Sequence, residues 1–250
     1  MVYPPSRNPH QLKDRIWDVS CPYCGKPISW LPTDEDSPAK PGSIYALTKF
    51  TQEELCRNVG RAFGIPITVL RFFNVCGPGQ APSNPYTGVL TSFIVKYLEG
   101  EAIDVYEDGG ETRDFIHVQD VVRACLLALT NDSADWETFN VGTGIALSIL
   151  ELANLVSKQI LCNASSKVQI LPIARVGDIR HCVADNRKAQ RLLGFRADNQ
   201  IVSGLPELIR WVASQTPIDM SDQASRELVA RGLLVGVENE DPPSSEKQQK

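Results

Sequence analysis

The chain has 250 residues, 42% of them hydrophobic, a formal charge of −5 and a pI near 5.3, which is enough apolar content for one large domain or two small ones. No broad basic field exists, so nucleic acid or an anionic membrane is excluded as the main partner, and any bound anion must be met by a few placed arginines. No apolar run approaches the roughly eighteen residues that span a bilayer, and Met1-Val2-Tyr3-Pro4-Pro5 is not a signal peptide, so the expected location is cytoplasmic.

Residues 1–42 carry Pro4, Pro5, Pro9, Pro22, Pro27, Pro32, Pro38 and Pro41 and are expected to form a loop-like insertion. Within them, Cys21-Pro22-Tyr23-Cys24-Gly25 has the spacing of a zinc knuckle. A closed zinc site needs four ligands, and His10 is the only nearby imidazole. Cys21 and Cys24 are therefore either half of a zinc site or two loop thiols in a turn set by Pro22 and Gly25. The other five of the seven cysteines, Cys56, Cys76, Cys125, Cys162 and Cys182, lie singly in apolar contexts and read as buried, reduced thiols.

From Ile44 the pattern changes. Leu47, Leu55, Val59, Ala62 and Phe63 recur at helical spacing until Gly64 and Pro66 stop the helix. Residues 67–75 mass β-branched and aromatic side chains and predict a buried strand ending at Gly77-Pro78-Gly79. Helix followed by buried strand is an α/β signature. A helix is expected over Val89–Leu98 with Leu90, Ile94 and Tyr97 on one face, then a strand over Ile103–Tyr106, a helix over 118–129, and a strand over 139–141 entering Gly142-Thr143-Gly144. Ser148 and Glu151 form a capping box that opens a helix striped by Leu152, Leu155, Val156 and Ile160. Val168–Leu171 is a strand, Asp185 caps a helix running through Ala189, Leu192 and Leu193 to Gly194, and 205–212 is a further helix. Past Pro217 the regular signal fades, and from Glu238 the composition is that of disordered chain.

Tyr45 and Lys49 stand four apart near the start of the first long helix, so their side chains share one face. A phenol is a poor base at its ordinary pKa near 10, but a neighbouring ammonium favours the phenolate. By itself this spacing also occurs as a solvated pair in many helices. The flanking residues are more specific: Pro41-Gly42-Ser43-Ile44-Tyr45-Ala46-Leu47-Thr48-Lys49 resembles the active-site helix of the extended short-chain dehydrogenase/reductase family, which includes NAD-dependent nucleotide-sugar epimerases and dehydratases. Arg71-Phe72-Phe73-Asn74-Val75-Cys76-Gly77-Pro78 is similar to its R-Y-F-N-V-Y-G-P strand, and 109–118, containing Arg113-Asp114-Phe115-Ile116-His117-Val118, to its R-D-F-I-H-V segment. Phe139-Asn140-Val141-Gly142 resembles its late strand, and Arg175-Val176-Gly177-Asp178 with Ala184-Asp185 its R-x-G-D and A-D elements. The cysteine-bearing insertion resembles that of dTDP-L-rhamnose or UDP-glucose 4-epimerases.

The resemblance implies an α/β fold: the C-terminal part of an NAD(P)-binding Rossmann-type doubly wound parallel sheet, plus a smaller α/β substrate domain. The expected division is an insertion over 1–42, part of the Rossmann domain over 43–78 with returns near 114–142, mainly substrate domain over 79–216, and a tail over 217–250. It implies NAD as cofactor, a nucleotide-diphosphate sugar as partner, and, as an open expectation, a homodimer. Tyr45 would be the acid/base, and Lys49 would hold the phenolate and the nicotinamide ribose. Phe73 would contact the nicotinamide end and Asn74 the substrate pyrophosphate. Arg113 and Arg175 would clamp the diphosphate with their two-point forks, or else pair at the surface with Asp114 or Asp178. Asp178 would bind a nucleotide ribose hydroxyl or only fix Arg175; His117 would orient a turn, and Glu107 and Asp108 would be a charged turn.

The implied reaction is 4-epimerisation through a 4-keto sugar. A 4,6-dehydratase and a non-catalytic nucleotide-sugar-binding module are the alternatives. No G-x-x-G-x-x-G precedes Tyr45, and Ser20 lies in a loop-like stretch rather than in the strand that carries the family's Ser/Thr. The expectation is thus a chain that begins inside the family's N-terminal half.

Overall fold

The computed structural model describes residues 7–82, 88–161, 168–215 and 221–236. In chain order the elements are α1 (Pro9–Lys13), α2 (Ile44–Phe63), β1 (Val69–Phe72), β2 (Asn74–Cys76), α3 (Val89–Leu98), β3 (Ile103–Tyr106), β4 (Thr112–Arg113), β5 (Phe115–His117), α4 (Val118–Thr130), β6 (Thr138–Val141), β7 (Leu147–Ser148), α5 (Ile149–Leu161), β8 (Val168–Leu171), β9 (Ala174–Arg175), β10 (His181–Cys182), α6 (Arg187–Leu193), α7 (Ile201–Ser214), α8 (Ser221–Ala230) and β11 (Leu234–Val235). The pairs β1–β6, β2–β5, β3–β8 and β4–β10 are parallel, while β4–β7 and β9–β11 are antiparallel. Helices join the parallel strands, which is the α/β arrangement the sequence pattern predicts.

Two cores result. Ile94 of α3, Leu152 and Val156 of α5, Leu205 and Val212 of α7, and Ile103 and Val105 of β3 pack into one. Ile116 of β5, Ala124 of α4, Phe139 and Val141 of β6, and Leu193 and Phe195 around the end of α6 form the other. The predicted capping box is present: Ser148 N donates to Glu151 Oε2 at 2.8 Å and Glu151 N to Ser148 Oγ at 3.2 Å. Asp185 supplies the cap expected of it, its Oδ1 accepting from Arg187 N at 3.0 Å, while Asn186 at the first flanking position makes no side-chain cap bond.

Several expectations are corrected. α2 begins on Ser43, whose Oγ accepts from Ala46 N, and ends as expected on the left-handed Gly64, with its apolar residues uncovered. Leu47 is 52% exposed, Leu55 60% and Phe63 76%; only Gly60 is buried. Charge holds the helix instead. Glu53 accepts from Arg71 at 2.8 and 3.0 Å and from Arg57 at 2.7 Å, and Arg57 reaches Thr138 Oγ1 on β6. Residues 67–75 are not one buried strand either. They split at Phe73, because β1 pairs with β6 whereas β2 pairs with β5, and β1 is only half-buried.

Past Pro217 the expected fading of structure gives way to α8 and β11, and β11 pairs with β9 to bury Val235 against Leu12 and Ala174. The proline-rich insertion is docked rather than free: Thr33 N donates to Val183 O, Asp185 N to Thr33 O, and Asn140 Nδ2 to Thr33 O, each at 2.8 Å. Of the thiols expected to be buried, Cys76 is buried, which pushes its pKa up to about 12, and Cys182 is half-buried. Cys56 and Cys125 are exposed on α2 and α4. Cys162, Met1 to Pro5 and the stretch from Glu238 lie outside the described residues.

Gly60 marks where α2 touches the strand entry. A Cβ there would lie 2.4 Å from Ile67 Cγ1 and 2.7 Å from the Ile65 carbonyl oxygen. Alanine gains about 1 kcal/mol of helix propensity, but the backbone oxygen cannot yield without moving the turn, and such overpacking costs about 1–3 kcal/mol. Gly60→Ala should therefore lower the denaturant midpoint; a raised midpoint would show that α2 does not press on residues 65–67.

Candidate active site

The cap at Ser43 sets the first turns of α2 so that Tyr45 and Lys49 project from one face. Lys49 Nζ lies 5.6 Å from the Tyr45 ring centroid and donates to Gln52 Oε1 at 3.3 Å. Tyr45 is 71% exposed, so the phenol stands clear of the core. Phe73 and Asn74 occupy the break at the carboxyl end of β1, where pairing passes from β6 to β5. Phe73 N donates to Val141 O at 3.1 Å and Asn74 N to Asp114 O at 2.9 Å. In open α/β sheets such strand ends, where pairing diverges, are where ligands bind.

Asp114 holds these ends together. It is fully buried, and its carboxylate accepts from Thr143 N at 2.8 Å, Thr143 Oγ1 at 2.6 Å, Gly144 N at 2.9 Å and Ala184 N at 3.1 Å. Gly142 is required beside it, since a Cβ would lie 2.6 Å from Asp114 Oδ2 and 2.5 Å from Ala184 Cβ. The expectation that Asp114 could pair at the surface with Arg113 or Arg175 is thus wrong: its lone pairs are taken by buried donors.

Arg113 donates to Asp178 Oδ1 at 3.1 Å, to Thr112 O at 2.9 Å and to Arg180 O at 3.3 Å. Asp178 therefore pairs with Arg113, one of the expected alternatives to a free clamp, and does not fix Arg175, which was the other. Arg175 is exposed, with its guanidinium 5.4 Å from the Tyr106 ring centroid. Arg113 and Arg175 share no ion-pair partner among the described residues. The 175–178 turn nevertheless meets the entry to α2, where a Cβ on Gly177 would lie 3.8 Å from Gly42 O.

Two arginines were missed by sequence reasoning. Arg180 is 6% exposed and binds Asp108 with both forks at 2.7 Å, Glu107 at 3.1 Å and Asp18 at 3.0 Å. Arg7 is equally buried and donates to Glu107 at 2.7 Å, Trp17 O at 3.2 Å and the Asp178 carbonyl at 3.1 Å. Glu107 and Asp108 are accordingly not a simple charged turn: the Glu107 side chain is fully buried, and a buried carboxylate needs such cations. The Arg180 side chain holds the Asp108 carboxyl below its ordinary value. His181 Nδ1 lies 2.9 Å from Thr112 Oγ1, and burial, helped by Arg180, lowers its pKa.

His117 acts as the cap expected of it. Its Nδ1 accepts from Gln119 N at 3.3 Å, and its Nε2 is buried without a partner among the described residues. At the knuckle, Gly25 N donates to Cys21 O at 2.9 Å with Gly25 at φ 69°, and the nearby backbone N–H groups of Tyr23 and Cys24 lower the Cys21 pKa. Among the described residues no group of three or more His, Cys, Asp and Glu could hold a metal. Among the same residues no helix is long and apolar enough to cross a membrane.

Glu111 generates a pH test. Burial first, then the charges of Glu107 and Asp178, push its pKa from 4.5 up to about 7, against the opposing pull of Arg113 and Arg7. A carboxyl whose folded pKa exceeds its unfolded one binds more protons in the fold, so stability falls as pH rises from about 4.5 to about 7. Glu111→Gln should flatten that fall and be more stable than the parent at pH 8. An unchanged slope in urea denaturation across this range would contradict the assignment.

The profile described as the NAD dependent epimerase/dehydratase family matches residues 16–142. The chain is 32% identical over 216 residues to dTDP-L-rhamnose 4-epimerase of Burkholderia thailandensis, covering 86% of this chain and 57% of that protein. UDP-glucose 4-epimerase of Thermotoga maritima, solved with UDP-glucose, superposes with a TM-score of 0.66 at 32% identity, covering 75% of this chain and 59% of that one. UDP-glucuronic acid 4-epimerase of Bacillus cereus, solved with UDP-glucuronic acid and NAD, gives 0.67 at 29% identity, covering 74% and 57%. The chain thus spans less than two thirds of the length of these relatives. With half of its residues matched by the profile, the chain belongs to the NAD dependent epimerase/dehydratase family.

Proposed function

We propose that this chain forms part of an NAD-dependent nucleotide-sugar 4-epimerase. The observation that carries the reading is the exposed Tyr45–Lys49 face of α2, inside the matched segment and on the helix whose entry at Gly42 meets the 175–178 turn. The residues present fit the nicotinamide end of the cofactor: an exposed phenol, an ammonium whose hydrogen bond is to a neutral amide, and Phe73 at a strand end. When bound, NAD supplies the hydride acceptor and donor. Tyr45 then takes the proton from a sugar hydroxyl, and Lys49 favours the phenolate that receives it.

Asn74 and Arg113 address the diphosphate from β2 and β4, with Arg113 held by Asp178. Arg175, backed by the Tyr106 ring, adds a second fork from the 175–178 turn. Anchoring the substrate by its diphosphate leaves the sugar free to present either face to Tyr45, which inversion at one carbon requires. The relatives act on or bind UDP- or dTDP-linked sugars by their names, and a nucleotide-diphosphate sugar is the substrate class of this reading. The same reading takes the enzyme to be cytoplasmic, in keeping with its free thiols among the described residues, and homodimeric, in keeping with the exposed apolar residues of α2.

The test is turnover of UDP- and dTDP-hexoses by a fusion that places the glycine-rich half of a relative ahead of residue 1. Tyr45→Phe should retain calorimetric affinity for the nucleotide sugar and lose about 10²–10⁴-fold in turnover; near-parent turnover would sink the assignment. A product that has lost water would favour the dehydratase, and binding without turnover in the unmutated fusion would favour a binding module. Arg113→Ala and Arg175→Ala should each weaken binding by about 1.5–3 kcal/mol, and parent-like affinity in both would remove the clamp.

A further inference from the structure

A cavity lies away from Tyr45. It has a volume of about 300 Å³ and is lined by Arg57, Arg61, Ile67, Val69, Trp136 and Glu137 among others. That is the size of a small-molecule site. Arg57 follows Tyr45 by twelve residues on α2, which at 1.5 Å per residue places the cavity about 18 Å or more down the helix axis.

The backbone at Trp136 is the unusual feature. Glu137 N donates to Ala134 O at 3.1 Å, closing a turn in which Asp135 has φ −59°, ψ 128° and Trp136 has φ 65°. These are the angles of a type II turn, whose third position favours glycine or asparagine because φ is positive there. A tryptophan in that position is strained, and the strain is not offset by burying the ring, since Trp136 is 48% exposed. The turn alone gives no reason for an indole, whereas the cavity that the residue lines does.

The cavity is also cationic. Glu53 is shared between Arg57 at 2.7 Å and Arg71 at 2.8 Å, and Glu137 is neutralised by Lys188 at 2.7 Å. Arg61 makes no ion pair among the described residues and lies one helical turn from Arg57 on the same face. These cations more than offset the partial negative charge at the C-terminal end of α2. Guanidinium forks match phosphate oxygens, and an indole face receives a flat aromatic ring. The cavity's volume and the chain's acidic charge suit a single nucleotide rather than a nucleic-acid strand.

We propose that this cavity is a second nucleotide-binding site, taking the base of a nucleoside phosphate on Trp136 and its phosphate on Arg57 and Arg61. The test is calorimetric titration of the 250-residue chain with uridine 5′-monophosphate and, separately, with inorganic phosphate. In an Arg113→Ala background, which weakens the proposed substrate site, nucleotide binding should persist. Arg61→Gln and Trp136→Gly should each weaken it at least tenfold, while Trp136→Phe stays within about threefold of the parent. Glycine suits the turn, so a Trp136→Gly protein melting at or above the parent temperature separates lost binding from lost folding; if that variant does not fold, Arg61→Gln carries the same test. The proposal is overturned if Arg113→Ala alone abolishes nucleotide binding, if Arg61→Gln and Trp136→Gly bind like the parent, or if phosphate binds as tightly as the nucleotide in every variant.

Discussion

The candidate site depends on one buried carboxylate. Asp114 sits between β4 and β5, and its two oxygens gather donors from the 143–144 loop and from Ala184, three stretches separated in sequence but joined at one point. A charged group taken fully out of water is tolerated only when its lone pairs are met, so the loop and the Ala184 segment have no freedom to drift. The requirement extends to Gly142, where no side chain fits between Asp114 and Ala184. Because Asn74 N is bonded to the Asp114 carbonyl and Arg113 is its chain neighbour, the backbone at Asn74 and Arg113 is tied to the segment this carboxylate fixes, while Arg175 is placed separately, over the Tyr106 ring.

Tyr45 is placed by a different device. α2 carries apolar residues on exposed faces, and its described attachment to the sheet runs through Glu53, Arg57 and Arg71, with Gly60 allowing close backbone approach. An ionic anchor is directional where an apolar stripe is not. Arg71 belongs to β1, two residues before Phe73, so the same strand that carries the candidate nicotinamide contact also holds the helix that carries the acid/base. Arg71 Nη1 further donates to Glu35 O at 2.9 Å, which ties the insertion to the same point.

What was legible in the sequence was mostly local. The Tyr45–Lys49 pair, the Ser148–Glu151 box and the glycine stops at 64 and 194 rest on spacings of one to four residues, which backbone geometry converts directly into structure. Helical periodicity also located the apolar residues of α2, but it cannot say whether another element covers them, and in this structure Leu55 and Phe63 stay exposed. Pairings across long separations had no sequence signal: Arg7 meets Glu107 one hundred residues on, and Arg180 lies two residues beyond a motif that drew attention to Asp178 instead. Glu107 and Asp108 looked like a solvated turn because burial of a charge is a property of its partners. Trp136 was invisible for the opposite reason, since turn chemistry argues against tryptophan where the structure places it.

If the Asp114 carboxylate positions the candidate substrate site, breaking its bonds must loosen the 143–144 loop and weaken nucleotide-sugar binding together. Amide hydrogen exchange at Thr143, Gly144 and Ala184, measured in the parent and in Asp114→Asn together with nucleotide-sugar affinity, tests it most directly. Asparagine keeps the shape but turns one acceptor into a donor facing donors, which leaves buried groups unsatisfied at a cost of about 1–3 kcal/mol each. The account predicts that the three amides, protected in the parent, exchange together and faster in the variant, and that the nucleotide sugar binds more weakly. Unchanged protection at all three amides, or unchanged affinity once they are released, would contradict it.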